Sequence, residues 1–159
     1  MNKTGLYKVL RWATVILAVV FLVVISGNSK DTEATFAQIE TAVSEQVDLS
    51  LMEKADPDKL DRFYGLDAGQ FKNCILYYPT DFMSVEEVLL IELTDESQKD
   101  AVLSAIDARL ARQKETFDGY GSDGQYEKLC NDAVTEIRGN FLFFAVHSDA
   151  AYQAFLKTV

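Results

Sequence analysis

The uncharged run Trp12–Ile25 (WATVILAVVFLVVI) is the strongest constraint on this chain, because any globular fold must be built from the residues after it. A bilayer core of ~30 Å needs about 20 helical residues, each rising about 1.5 Å. Trp12–Ile25 alone falls short, but residues 9–27 reach that length once Arg11 snorkels its charge to the headgroups. Tyr7 and Trp12 are aromatics of the kind that settle at the interface. Lys3, Lys8 and Arg11 come first, with no acid among them. The positive-inside rule then predicts a cytoplasmic basic N-terminus over residues 1–8, a single-pass anchor over 9–27 and an extracytoplasmic remainder in the cell envelope. Residues 28–35 read as a polar stalk, and 36–159 as the external domain. The alternative is a cleaved signal peptide, in which ~7–15 apolar residues follow a basic start. Val24-Ile25-Ser26 is a poor cleavage site, and apolar length favours the uncleaved anchor. No cysteine follows the run, which removes lipidation as a means of attachment.

Charge narrows the partners. The chain carries −10, and setting aside Lys3, Lys8 and Arg11 leaves 12 basic against 25 acidic residues, or −13, outside the membrane. Such a surface repels nucleic acid and bare anionic polymers or lipids unless cations bridge them. Nucleic acid is therefore set aside as a partner. The two cysteines, Cys74 and Cys130, can close a disulfide in an oxidising compartment; two separate thiols are the alternative, and spacing does not decide between them.

The periodicities predict an α+β domain. Phe36, Ile39, Val43 and Val47 recur at helical spacing. Asp56-Pro57 marks a helix start, Leu60, Phe63 and Tyr64 face inward, and Gly65 ends that helix. Asn73–Tyr78 and Val85–Leu93 read as a strand pair joined through Thr80–Ser84. Asp95 with Gln98 forms an acidic capping box ahead of a long helix whose buried stripe is Leu103, Ile106, Leu110 and Phe117. Asp118-Gly119-Tyr120-Gly121 breaks that helix, and Gln125–Cys130 makes a helical turn or two. Ala133–Arg138 and Asn140–His147 come next as strands bent at Gly139. Phe141, Phe143 and Phe144 are too apolar for an edge, so the last strand is placed centrally under helices. Ser148 caps a final helix with Ala151, Tyr152 and Phe155 inward. The order α-α-β-β-α-β-β-α implies a mostly antiparallel four-stranded sheet with packed helices.

Motif chemistry is sparse. Asp56, Asp58, Asp61 and Asp67 do not match a calcium loop, because Leu60 and Asp61 stand where an oxygen ligand and a glycine are needed. Capping and a solvated face account for them. Glu86 and Glu87, adjacent on a strand, would point to opposite faces and read as surface charge unless one meets a distant carboxylate such as Glu136. His147 is the one histidine and has no companion ligands for zinc, and no G-x-S-x-G turn supplies an activated serine. Gly119-Tyr120-Gly121 follows a helix rather than a strand, which is the wrong order for a phosphate cradle. It reads as a helix stop or an exposed recognition loop. No cofactor is implied.

Several segments together resemble a known family. Lys59-Leu60, Phe63-Tyr64-Gly65-Leu66-Asp67 and Met83-Ser84-Val85-Glu86-Glu87 begin the match. Asp95-Glu96-Ser97-Gln98, Arg109, Gln113-Lys114, Gly119-Tyr120-Gly121 and Arg138-Gly139-Asn140 continue it, so that it covers Phe36 to Phe155. The resemblance is to an uncharacterised bacterial extracytoplasmic family catalogued as domain of unknown function 4358. It implies an envelope location in Gram-positive anaerobes and no established activity. Many members resemble lipoproteins; this chain lacks the lipid-bearing cysteine, and Cys74 and Cys130 fall outside the motif. The same segments hold the candidate binding residues Tyr64, Asp67, Glu87, Tyr120 and Arg138. The resulting expectation is a membrane-anchored, non-enzymatic domain that binds an envelope protein or wall component. The alternative is an envelope enzyme or enzyme accessory, a carboxylate-dependent hydrolase or transferase acting on wall polymers through Glu87, Glu136 or Asp67.

Overall fold

The computed structural model describes residues 34–119 and 124–159. The anchor expected over residues 9–27, the stalk up to residue 33 and the candidate residue Tyr120 lie outside them. Among the described residues no helix is long and apolar enough to cross a membrane. Thr35–Val159 forms one compact unit.

Local chemistry sets most element ends. Thr35 and Gln38 form a reciprocal capping box that starts α1 (Phe36–Ser44), and Ile39 and Val43 are its buried face. A short strand β1 (Met52–Lys54) leads to α2 (Pro57–Tyr64), which has proline in its first turn and ends on Gly65 at φ 68°. That left-handed angle is costly for any residue with a Cβ, which is why a glycine closes the helix. Strands β2 (Asn73–Pro79) and β3 (Glu87–Glu92) come next. The Asp95–Gln98 capping box is present, but it first forms a single 3-10 turn that then runs into α3 (Lys99–Phe117). After α4 (Gln125–Asn131) come β4 (Ala133–Arg138), β5 (Phe141–Val146) and α5 (Asp149–Thr158). Ser148 occupies the cap position of α5, yet its side chain makes no capping bond.

The sheet has five strands in the order β1-β2-β3-β5-β4, all neighbours antiparallel. The expected four-stranded sheet is thus corrected by one strand, and the element order gains β1 and α4. Only Met52 of β1 is buried, so the segment has no alternating pattern to read. Its strand conformation comes from pairing Met52–Lys54 with Tyr77–Pro79. The central placement of the last strand holds: β5 lies between β3 and β4, and every residue of Phe141–Val146 is buried.

Register assigns the two faces. Leu89, Ile91, Leu142, Phe144 and Val146 share one side and pack with residues of α2, α3 and α4 such as Leu60, Ile106 and Leu129. On the other side Phe143 stacks on Phe155 and Tyr152 of α5, at ring separations of 5.0 and 5.8 Å, and α1 packs against α5. The expected stripe of α3 needs one change. Val102, Ile106, Gln113 and Phe117 are its buried residues, while Leu103 and Leu110 are half-buried.

Cys74 and Cys130 are free thiols, half-buried and exposed respectively. Cys74 sits on β2, whereas Cys130 lies on α4, the helix that leads into edge strand β4.

Candidate functional site

Glu87, expected at the surface, is fully buried at the start of β3. It faces the α2–α3 layer, and three elements supply its partners. The Tyr64 hydroxyl, at the end of α2, donates to Oε1. From α3, Arg109 Nη2 donates to Oε2 at 2.8 Å, and Gln113 Nε2 donates to the same oxygen at 3.4 Å. Arg109 and Gln113 are four residues apart and therefore share one face of the helix. Burial first, then the neighbouring Glu87 carboxylate, pushes the Tyr64 hydroxyl well above its ordinary value near 10, so it stays a donor.

This arrangement leaves two loose ends. A carboxylate only accepts, so Gln113 must turn its amide nitrogen toward Glu87 and its carbonyl oxygen away. That Oε1 has no partner, nor does Arg109 Nε, although both atoms are buried. A buried polar atom without a partner costs about 1–3 kcal/mol. Such atoms are uncommon in native folds and call for an explanation.

Above the network lies an open groove of about 640 Å³ between α2, α3 and the β2–β3 connection. Arg109 forms part of its floor, with its guanidinium 4.3 Å from the Phe63 ring centroid. Phe63 meets Tyr78 edge to face at 5.5 Å, and Lys59 Nζ caps that pair 4.6 Å from the Tyr78 centroid. Arg112 donates to the Phe63 carbonyl, and Tyr78 donates to Glu53. Among the described residues no carboxylate pairs with Lys59 or Arg112. At the rim, Phe82 is 88% exposed. Its loop is held by Asp81, whose side chain accepts from Met83 N at 2.9 Å and whose carbonyl accepts from Ser84 N at 3.0 Å. Phe82 borders a smaller hollow of about 210 Å³ with Met83 and Phe117.

The remaining candidates are dispersed. Glu86 precedes β3 rather than lying within it, so strand alternation does not govern it, and it pairs with Lys128 of α4 at 2.9 Å. Glu136 faces the α5 side: it is registered with Phe143, whereas Glu87 is registered with Val146, three positions on and therefore on the opposite face. Glu136 binds Arg138 Nε at 2.7 Å and accepts from Tyr152, so Arg138 belongs to that edge and not to the groove. The Asp67 side chain caps a 3-10 turn by accepting from Gly69 N at 2.8 Å. His147 follows β5 at φ 52° and binds Asp132 through its ring Nδ1 at 2.7 Å. Among the described residues no cluster of His, Cys, Asp and Glu has the arrangement of a metal site.

Of the five binding candidates, Tyr64 and Glu87 meet, Asp67 and Arg138 stand elsewhere, and Tyr120 is undescribed. Arg109 and Gln113 were not among the site residues expected from the sequence. One signal was present: Tyr64, Glu87, Arg109 and Gln113 all lie in the segments that carry the family resemblance, and the fold brings these four together.

Fold and site define an α+β domain with a groove lined by aromatic side chains and by charges of both signs, braced from below by a buried glutamate. The chain belongs to the family described as Domain of unknown function (DUF4358), whose model matches residues 45–147. No curated protein and no solved structure matches it.

Proposed function

We propose that this protein is a membrane-anchored extracytoplasmic domain that serves as a non-enzymatic binding or accessory protein of the bacterial cell envelope, with the groove over Glu87 as its binding surface. One observation carries the binding reading: both oxygens of the Glu87 carboxylate are engaged by Tyr64, Arg109 and Gln113. A general base needs an oxygen within reach of substrate. Here the carboxylate instead fixes Arg109 against Phe63, which is how a receptor surface is preorganised. The anchored topology rests on the basic start and the apolar residues 9–27.

The second reading is a hydrolase or transferase of wall polymers. Glycosidic hydrolysis by paired carboxylates needs them facing across one substrate, ~5–9.5 Å apart. Glu87 and Glu136 are divided by the sheet, and Asp67 is engaged as a cap.

The test places a photo-crosslinking amino acid at Phe82 of the full chain in its native membrane. The proposal expects the chain in the membrane fraction, its C-terminus cleaved by protease added to intact protoplasts, and a discrete crosslinked species that is lost in Arg112→Glu. A protected C-terminus overturns the topology. A crosslinking pattern unchanged by Arg112→Glu overturns the groove as the binding surface.

A further inference from the structure

We infer that this protein forms a two-fold dimer in which β4 pairs antiparallel with β4 of a second copy, Thr135 lying opposite Thr135. The inference does not depend on the groove. It rests on what the two edges of the sheet leave unpaired.

An edge strand carries backbone donors and acceptors with no neighbour, and folds guard such edges by keeping them short, charged, bulged or covered. β1 is guarded: it has three residues, two of them Glu53 and Lys54, and Lys54 is tied to Glu40 of α1 at 2.8 Å. β4 is not. It runs for six residues without lysine or proline, and its register with β5 is unbroken from Ala133 to Arg138. Val134 and Ile137 remain only half-buried on it. The phase of the ladder fixes which groups point outward. His147 N donates to the Asp132 carbonyl at 3.0 Å, directly across from it in the β4–β5 register. Bonded and non-bonded positions alternate in an antiparallel pair, so Val134, Glu136 and Arg138 bond to β5. The N–H and C=O groups of Ala133, Thr135 and Ile137 therefore face away from the sheet, and among the described residues no other backbone group bonds them.

Charge and register select a second copy as the occupant. The strand holds one acid, Glu136, and one base, Arg138, so it is neutral in a chain that carries −13 beyond Gly27. Charges farther away than ~8 Å are largely screened at physiological salt, which leaves the local pattern to decide. In a two-fold antiparallel pair, facing side chains share one face of the sheet, so the axis passes through a residue. Centring on Glu136 sets that glutamate against itself, and centring on Val134 sets Asp132 against Glu136. Centring on Ile137 runs past Arg138 into the Gly139 bend. Centring on Thr135 uses the whole strand. Ala133 then meets Ile137, Thr135 meets Thr135, and every outward N–H and C=O of both copies is bonded. The same register brings Arg138, whose side chain is 57% exposed, level with Asp132 of the second copy, whose side chain is 40% exposed. Two five-stranded sheets become one, ending on the guarded β1 at both sides, so assembly stops at two.

The experiment uses the full chain in detergent. With Cys74→Ala and Cys130→Ser in place, Thr135→Cys should crosslink to itself on mild oxidation, because bonded facing residues stand ~5.5 Å apart at Cα, within disulfide range. Glu136→Cys, displaced from its own copy by two positions along the strand, should not. Sedimentation velocity should show a dimer for the wild type. Thr135→Lys and Thr135→Glu should each weaken it about fivefold or more, since like charges then face each other, and mixing the two should restore it. Thr135→Pro, which removes an outward donor and leaves the β4–β5 bonds in place, should weaken it further. Melting curves should show the lysine and glutamate variants folded. A wild type that stays monomeric at the highest attainable concentration overturns the inference, as does a dimer indifferent to Thr135→Lys. Crosslinking through Glu136→Cys rather than Thr135→Cys overturns the register. In native membranes, crosslinking of Thr135→Cys to a different protein in place of its own copy overturns the second copy as occupant.

Discussion

Strand β3 begins and ends on a buried glutamate, and the two are solved differently. Glu92, at the far end and on the opposite face, is 4% exposed. It accepts from Lys72 at 2.6 Å, Asn73 at 2.7 Å and Asn140 at 3.2 Å. Its main cation, Lys72, has a side chain 63% exposed and reaches in from solvent. Burial by itself would raise the Glu92 carboxyl; the bonds from Lys72 and Asn73, the Lys72 charge and Asn140 outweigh it and hold the group below its ordinary value. Glu87 is fully buried, takes its cation from inside the fold and leaves two unpaired polar atoms beside it. A closed polar cluster is a fastening. The cluster around Glu87 is not closed in that way, since Arg109 Nε and Gln113 Oε1 stay unpaired beside it.

The contrast between the two glutamates breaks most directly at Glu87. Replacing it with alanine leaves the largely buried Arg109 without its carboxylate, and losing one partner of a buried pair costs up to about 3–5 kcal/mol. Denaturant unfolding followed by circular dichroism should show this as a large drop in midpoint; a loss under about 1 kcal/mol would reduce Glu87 to the rank of a surface charge.

Tyr64→Phe probes the same cluster more gently. It leaves one carboxylate oxygen unsatisfied, for a loss of about 1–3 kcal/mol. Its pH signature is separate. The Tyr64 value is raised on folding, so its contribution is complete below the unfolded value near 10 and is lost as pH climbs toward the folded one. The wild type should therefore lose stability above about pH 10 more steeply than Tyr64→Phe, read from alkaline unfolding curves.

Glu92→Gln sharpens the contrast at acid pH. A depressed carboxyl contributes above its unfolded value and loses that contribution as pH falls through the folded one. The variant should be less stable than the wild type at neutral pH, and the difference should shrink below about pH 4. Equal acid dependence in both would show that Glu92 is not fastened as described.

Gly139→Ala acts on Glu92 indirectly. Gly139 stands at φ 58° in the β4–β5 bend and precedes Asn140, which holds Glu92. A left-handed alanine costs about 1–2 kcal/mol, and thermal melting should register it. The smallest effect is expected at the groove rim. Phe82→Ser removes an exposed side chain and should leave stability within about 0.5 kcal/mol of the wild type while abolishing the Phe82-dependent binding. A variant that unfolds would show Phe82 to be packed rather than presented.

Amino-acid order alone determined the helix starts at Asp56-Pro57 and Asp95, the glycine stop at Gly65, and the central place of Phe141–Val146. These come from short-range bonding and from apolar periodicity, which neighbouring residues carry by themselves. Strand β1 was hidden, because three residues with one buried side chain take their conformation from β2. Glu87 misled for a related reason: a charge in a strand reads as solvent-facing until its partners are known, and Tyr64, Arg109 and Gln113 lie 22 to 26 positions away. The family resemblance marked those residues without saying that they touch. Only the tertiary structure decided it, since the cost of burying a charge is set by what the fold brings beside it.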